Sequence, residues 1–213
     1  MSLYQDRIFP RLLAWTSAAF DEDRAALMAE AVGRVLELGV GTGANLGFYP
    51  PEVTDVVGMD PHEAVLGHAL GAARRLERER PGGLPYRVRI QRGDAQQMPY
   101  DDASFDTVVA FLTLCSVPDP LAAARESHRV LRPGGRLLVL EHVQAPPGSW
   151  LRGLQHVAGP VWTRLAGGCH LDRDTASVLS AAGFDARPLE RYRDQLYFPL
   201  TAERIRGVLH KPV

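Results

Sequence analysis

A glycine-rich turn and three carboxylates stand at positions where they could hold a nucleotide-like ligand. Residues 39–43 contain three glycines and follow a short apolar run that carries a single acid, Glu37. A second apolar run ends at Asp60, and Asp94 follows a third. Glycine lets a backbone turn sharply and approach a ligand closely, and carboxylates accept hydrogen bonds from hydroxyl and amino groups. These residue types at these spacings predict a site for an adenosine-type cofactor.

The glycine turn alone does not identify that cofactor. Residues 39–44 also fit the G-x-G-x-x-A pattern of some nicotinamide and flavin sites, and Asp60 could accept hydrogen bonds from ribose hydroxyls in either case. Glu37, two residues before the first glycine, could hold the turn or meet the ammonium group of a methionine moiety. Asp94 could accept a hydrogen bond from the adenine amino group. Together these positions favour S-adenosyl-L-methionine, with S-adenosyl-L-homocysteine as the product.

Some of these residues also have purely structural interpretations. Asp60 could cap the helix that follows it, and Asp94 could stabilise a turn. Glu37 is harder to explain in this way, because a carboxylate in an apolar strand is costly unless it is paired. We expect Met59 and Ala95 to flank the adenine ring. The expected cofactor-binding residues are Glu37, Gly39, Gly41, Gly43, Asn45, Asp60, Pro61, Asp94, Ala95, Phe111 and Leu112.

Strands that end at one edge of a sheet must position these side chains. Short apolar runs alternate with helical stretches along the chain, which favours a parallel sheet with helices on both faces. The predicted strands are 35–38, 55–59, 86–91, 107–112, 136–141, 186–191 and 205–210. The last two are expected to form an antiparallel pair at the edge. The predicted helices are 44–48, 62–80, 120–130 and 174–182, and a turn is predicted at 131–135.

The length and composition fit one α/β domain covering residues 1–213, since 46% of the residues are hydrophobic. Residues 1–32 are expected to form a helical lid. Residues 144–175 are expected to form a cap over the substrate, because loops at the carboxyl edge of such sheets carry specificity.

Other features argue against several classes of protein. The net charge of −1 gives no bulk attraction to nucleic acid, and no apolar run reaches the roughly 20 residues of a membrane span. The first residues show no signal-peptide pattern, so we expect a cytoplasmic protein without an integral membrane segment. Cys115 and Cys169 are too few for a disulfide framework or a zinc set, and Cys169 with His170 does not complete a metal site.

The motifs occur in a recognisable order. They are LELGVGTG at 36–43, GMD at 58–60, GDAQQMP at 93–99, SFDTVV at 104–109 and RVLRPGG at 129–135. In this order they resemble class I S-adenosylmethionine-dependent methyltransferases of the methyltransferase domain 11 type, which include ubiquinone and menaquinone methyltransferases. The resemblance implies a Rossmann-like, doubly wound, seven-stranded and mostly parallel sheet with an antiparallel edge strand. It also implies methyl transfer to an O, S, N or C atom of a small-molecule acceptor.

A second set of motifs is similar to the methyltransferase-like 7 group, which is linked to thiol methylation. These motifs are at 43–46, 49–51, 114–117, 141–143 and 168–170. Related bacterial proteins are often labelled phospholipid N-methyltransferases. The second resemblance therefore implies a thiol or a lipid-like amine as the methyl acceptor.

Methyl transfer from a sulfonium chiefly needs an in-line nucleophile and the exclusion of water. His142 follows the fifth predicted strand and is the expected catalytic base for a hydroxyl or protonated thiol. The alternative is a structural histidine bonded to backbone. His156 and His170 are further candidates. An apolar wall for the acceptor is expected from Phe111, Trp150 and Trp162.

Two other functions use the same fold. An NAD(P)-dependent oxidoreductase could use the glycine turn, but the only lysine is Lys211 and no Tyr-x-x-x-Lys pair is present. A non-catalytic cofactor-binding protein would keep the cofactor residues and lack turnover. Every expected cofactor position is filled by a suitable residue type, which favours an enzyme.

Overall fold

The computed structural model describes residues 20–194 and 198–213. The helices are α1 (Asp21–Met28), α2 (Glu63–Glu79), α3 (Pro120–Val130), α4 (Trp150–Leu165) and α5 (Thr175–Ala181), with a 3₁₀ turn at Pro199–Thr201. The strands are β1 (Gly33–Leu38), β2 (Val53–Asp60), β3 (Arg87–Arg92), β4 (Phe105–Phe111), β5 (Leu131–His142), β6 (Glu190–Arg193) and β7 (Glu203–His210). Most of the lid expected at 1–32 lies outside the described residues, which include only its last part.

The seven strands form one sheet in the order β3-β2-β1-β4-β5-β7-β6. All neighbouring pairs from β3 to β5 are parallel, whereas β7 is antiparallel to both β5 and β6. The expected mostly parallel, seven-stranded sheet with an antiparallel pair at its edge is therefore confirmed. The antiparallel strand β7 lies one position in from the edge, and β6 is the outer strand. Parallel strands place their carboxyl ends together, so the residues after β1, β2, β4 and β5 meet at one edge.

Two buried clusters occupy the two faces of the sheet. Leu36 and Leu38 of β1 pack with Leu137 and Val139 of β5 on one face. Val35 of β1 packs on the other face, with the helices α1 and α2. Side chains alternate along a strand, and both sides of each central strand are apolar because helices cover both faces. Among the described residues, no helix is long and apolar enough to span a bilayer.

Three sequence expectations differ from the structure. Residues 44–48 form turns instead of a helix, because Gly47 and the prolines at 50–51 leave too few residues to nucleate one. The strand predicted at 186–191 is Glu190–Arg193, so it begins later and is shorter. The cap at 144–170 contains the 16-residue helix α4, which was not predicted because Pro160 lies inside it.

The turn predicted at 131–135 is instead the start of β5, which bulges out of its pairing with β4. Phe105 pairs with Leu131 and Thr107 with Arg136, so β5 carries extra residues at this point. Lys211 holds this bulge: its Nζ donates to the carbonyl oxygen of Leu131 at 2.8 Å. Its backbone N–H donates to the carbonyl oxygen of Gly135 at 2.9 Å. The one lysine of the chain therefore fixes the end of β7 against the start of β5.

The first prediction concerns the cap of α3. The Asp119 carboxylate accepts hydrogen bonds from the N–H groups of Leu121 and Ala122, both at 3.0 Å. We expect Asp119→Ala to lower the free energy of unfolding by about 1 kcal/mol, because two N–H groups at the start of the helix lose their acceptor. Urea denaturation measures this loss. Asp101→Ala removes an exposed carboxylate and is the control, and equal midpoints for the two variants would contradict the prediction.

Candidate active site

The glycine turn needs glycine for both its backbone geometry and its packing. Gly39, Gly41 and Gly43 have φ angles of +60°, +53° and +81°, in the left-handed region that favours glycine. A Cβ on Gly39 would lie 2.7 Å from Oγ1 of Thr113, and one on Gly43 would lie 3.1 Å from Cα of Ala69. The turn is therefore packed so closely that a larger residue at 39 or 43 would collide with its neighbours.

The Glu37 carboxylate is buried and holds the chain that follows the turn. It accepts hydrogen bonds from Nδ2 of Asn45 at 2.9 Å and from the Tyr49 hydroxyl at 2.7 Å. Nε of Arg24 donates to the other end of the Asn45 amide at 2.7 Å. Burial raises the pKa of Glu37 to about 7, against the opposing effects of Tyr49, Asn45 and Arg24. Of the two roles considered for Glu37, these contacts match the one in which it holds the loop.

Asp60 joins the glycine turn to the start of α2. Its Oδ2 accepts a hydrogen bond from the Gly41 N–H at 3.2 Å, and its Oδ1 accepts one from the His62 N–H at 2.9 Å. Burial raises the pKa of this carboxyl, while both hydrogen bonds lower it. Asp60 does not cap α2, because the N-cap is His62 and no side chain accepts a hydrogen bond there. The Asp60 carboxylate lies at the edge where a ribose is expected. Pro61, the next residue, is exposed.

Asp94 and Ala95 form the corner after β3. The Asp94 carboxylate is exposed and accepts a hydrogen bond from the Gln96 N–H at 2.9 Å. The Gln96 side chain accepts one from the Asp119 N–H at 2.8 Å, so the corner is tied to the start of α3. Ala95 and Met59 are buried in one apolar cluster. Asp94 therefore stabilises a turn, as one of its two interpretations expected, and its carboxylate is also exposed.

The end of β4 has an unusual backbone. Leu112 has a φ of +56°, which is rare for a leucine and indicates a conformation imposed by its surroundings. Its N–H donates to the Leu140 carbonyl oxygen at 2.7 Å, and the Thr113 hydroxyl donates to the Leu38 carbonyl oxygen at 2.8 Å. Phe111 is buried beside Phe20, with ring centroids 6.1 Å apart. The chain thus turns sharply between β1 and β5.

Glu141 is a buried carboxylate that the sequence analysis did not single out. It accepts hydrogen bonds from three successive N–H groups, those of Thr113 at 2.8 Å, Leu114 at 2.7 Å and Cys115 at 3.0 Å. Burial raises the pKa of Glu141 to about 7, and these hydrogen bonds oppose the rise. The sequence signal that could have identified Glu141 is the one used for Glu37, which is an acid inside an apolar strand.

Two sequence motifs, 114–117 and 168–170, come together beside Glu141. The His170 N–H donates to the Cys115 carbonyl oxygen at 2.8 Å. The thiols of Cys115 and Cys169 contact each other, and this contact, together with burial, raises the pKa of Cys115. Nη1 of Arg173 donates to the Leu114 carbonyl oxygen at 2.6 Å. Among the described residues, no group of three metal-ligating side chains is present.

His142 is the last residue of β5 and is buried. Its ring lies edge-on to Phe20, with centroids 6.4 Å apart. Burial, followed by the positive charge of Arg204, lowers the pKa of His142 to about 3. Within residues 20–194 and 198–213, its Nδ1 has no hydrogen-bond partner. The imidazole is therefore neutral near pH 7 and a weak proton acceptor.

The expected aromatic wall is dispersed. Trp162 stacks on Phe198 at 5.4 Å with an interplanar angle of 9°, whereas Phe111 contacts Phe20. Trp150 is 69% exposed at the start of α4. These aromatic residues have different ring neighbours, and a shared wall for the acceptor stays a prediction. His156 is exposed on α4, and His170 is half-buried after it.

The pKa of Glu37 gives a testable prediction. A glutamate in an unfolded chain titrates near about 4.3, whereas burial holds Glu37 at about 7. Between these values the folded state binds more protons than the unfolded state, so the free energy of unfolding falls as the pH rises. Glutamine at position 37 cannot ionise, so Glu37→Gln lacks this contribution. We expect the free energy of unfolding of the wild type, relative to that of Glu37→Gln, to fall by about 3 kcal/mol between about pH 4 and pH 8.

Urea denaturation at several pH values checks this slope. Glu79→Gln is the matched control, because Glu79 is largely exposed on α2. The free energy of unfolding of the Glu37→Gln variant still depends partly on pH, since the pKa of Glu141 is also about 7. Parallel stability curves for the wild type and Glu37→Gln would contradict the burial argument.

The chain has clear similarity to known proteins. Residues 36–139 match the family model described as a methyltransferase domain. The human thiol S-methyltransferase TMT1B is 42% identical over 166 residues, which cover 76% of this chain and 64% of that protein. The human thiol S-methyltransferase TMT1A is 36% identical over 176 residues, which cover 81% of this chain and 68% of that protein.

The fold comparison agrees with the sequence comparison. A SAM-dependent methyltransferase from Methanosarcina mazei superposes with a TM-score of 0.63 at 20% identity, covering 84% of this chain and 92% of that one. The chain spans 62–64% of the length of the TMT1B proteins of human, rat and mouse. The strand order, the glycine turn and the identity to TMT1A lead to one conclusion. This chain belongs to the methyltransferase domain family.

Proposed function

We propose that this protein transfers the methyl group of S-adenosyl-L-methionine to a nucleophilic O, S, N or C atom of a small-molecule acceptor. The observation that carries the proposal is the Asp60 carboxylate, which ties the left-handed glycine turn to β2 at the carboxyl edge of the sheet. Open α/β sheets bind their ligands at this edge. The methyltransferase names of the relatives support the same chemistry.

The residues at this edge fit the proposed cofactor. The glycine turn at 39–43 brings a left-handed backbone to this edge. Asp60 supplies a carboxylate for ribose hydroxyls, and the exposed Asp94 supplies one for the adenine amino group. S-adenosyl-L-methionine when bound supplies an activated methyl group on a sulfonium. Glu37 and Asn45 then contribute to binding indirectly, by holding the loop after the glycine turn in place.

A thiol is the acceptor class that we propose to test first, because TMT1B and TMT1A are named thiol S-methyltransferases. The acceptor would lie between the loop after β4 and the cap helix α4, next to the contact of Cys115 with Cys169. Thiols ionise readily near neutral pH, so such an acceptor needs little help from a strong base. The weak basicity of His142 is compatible with this acceptor.

The cofactor assignment is tested by calorimetry with S-adenosyl-L-homocysteine. We expect Asp60→Ala to weaken its binding roughly 10- to 100-fold, because hydrogen bonds from ribose hydroxyls to a charged acceptor are lost. Asp185→Ala, which removes an exposed carboxylate paired with Arg187, is the control and should bind like the wild type. Tight binding of NADH with no heat from S-adenosyl-L-homocysteine would instead support the oxidoreductase alternative.

The role of His142 is tested by His142→Ala. We expect this variant to lower turnover with a thiol, because the imidazole lies at the end of β5 where the acceptor is proposed, and to retain the dissociation constant for S-adenosyl-L-homocysteine. His156→Ala changes an exposed histidine on α4 and is the control. Unchanged turnover would remove His142 from the mechanism. A protein that binds the cofactor but methylates none of a panel of thiols, phenols, quinones and amines would be a non-catalytic binder.

A further inference from the structure

The cap helix α4 carries an exposed stripe of apolar side chains. Trp150 is 69% exposed, Leu154 43%, Val157 77% and Val161 60%. Their spacing of four, three and four residues places them along one side of a helix. Leu165, 56% exposed, continues the spacing. We call the side chains of 150, 154, 157 and 161 the apolar stripe.

The apolar stripe differs from the side of α4 that packs on the protein. Leu151 and Gln155 are the buried residues of this helix. The Gln155 amide donates to the Leu200 carbonyl oxygen at 3.0 Å, and its oxygen accepts a hydrogen bond from the Ala145 N–H at 2.7 Å. These bonds anchor α4 next to the end of β5. With one side anchored, the helix presents a second apolar side outward.

The charge of α4 shows which kind of surface it suits. Residues 150–165 contain Arg152 and Arg164 and no aspartate or glutamate, although the whole chain has a net charge of −1. Arg164 is exposed and Arg152 is half-buried. A helix that combines exposed tryptophan, leucine and valine with arginine, and that carries no acid, is typical of segments that lie in the headgroup region of a bilayer.

The size of the stripe argues against a second copy of this chain as its partner. Residues 150–165 span about 22 Å at 1.5 Å per residue, and a helix is about 10 Å wide. The stripe consists of four side chains, whereas a stable interface uses about 20–30 residues on each partner. A stable dimer buries about 800 Å² on each partner. Insertion into lipid has no such minimum area, because each buried apolar side chain contributes separately.

We propose that α4 docks on an anionic lipid surface, with the apolar stripe in the headgroup region and its arginines against the phosphates. Docking in this position turns the cap, and the carboxyl edge of β5 beside it, towards the membrane. An apolar small molecule dissolved in the bilayer then has a short path to that edge. The docking rests on α4 alone and is independent of the proposed methyl transfer.

Co-sedimentation with vesicles of equal parts phosphatidylglycerol and phosphatidylcholine tests the docking. We expect the wild type to sediment with them and to bind vesicles of pure phosphatidylcholine more weakly. Val157→Ser combined with Val161→Ser should lower the partition coefficient roughly tenfold or more, because two inserted side chains become polar. Leu70→Ser on α2, where Leu70 is 40% exposed, is the matched control and should sediment like the wild type.

Three outcomes would overturn the docking. One is no sedimentation with the anionic vesicles, and another is equal sedimentation of the double variant and the wild type. The third is a dimer in the absence of lipid that the double variant abolishes, which would assign the stripe to a second copy. Cooperative unfolding of each variant in urea serves as the check on folding. A failure of the proposed function would leave the vesicle result unchanged.

Discussion

Two buried carboxylates, one on each side of β4, shape the loops at the carboxyl edge of the sheet. A carboxylate removed from water must find donors within the protein, or it is strongly destabilising. Glu37 of β1 finds them in Asn45 and Tyr49, and Glu141 of β5 finds them in three successive N–H groups. The left-handed backbone conformation of Leu112 and the sharp turn after β4 follow from the need of Glu141 for hydrogen-bond donors. The edge is therefore built by satisfying buried charge as well as by apolar packing.

The glycine turn and the acids around it were predictable because their signals are local. Glycines in a left-handed turn, and acids at the ends of apolar runs, are visible in a stretch of a few residues. Glu37 and Asp60 were singled out on these grounds, and both take part in the hydrogen bonding of the turn. Glu141 has the same kind of signal, but its partners lie 26–28 residues away and no local pattern marks them.

The loops after β4 and α4 depend on contacts between distant segments, which the sequence alone does not reveal. The thiols of Cys115 and Cys169 meet only because the loop after α4 folds back on the loop after β4. Pro160 and the glycines of α4 make this helix difficult to recognise in the sequence. The hydrogen bonds of Gln155 set its position. The cofactor half of such a domain therefore carries the family signal. The acceptor half carries the features that distinguish one member from another, and fold alone does not define its chemistry.

The position of β7 determines when the sheet can be completed. β7 follows β6 in the chain, yet it lies between β5 and β6, and β6 pairs with no other strand in the described part of the chain. During synthesis, domains fold as units while the chain emerges at about 5–20 residues per second. The edge of β5 therefore stays open, and β6 has no neighbour, until β7 has left the ribosome. β7 and the adjoining Lys211 thus close the sheet.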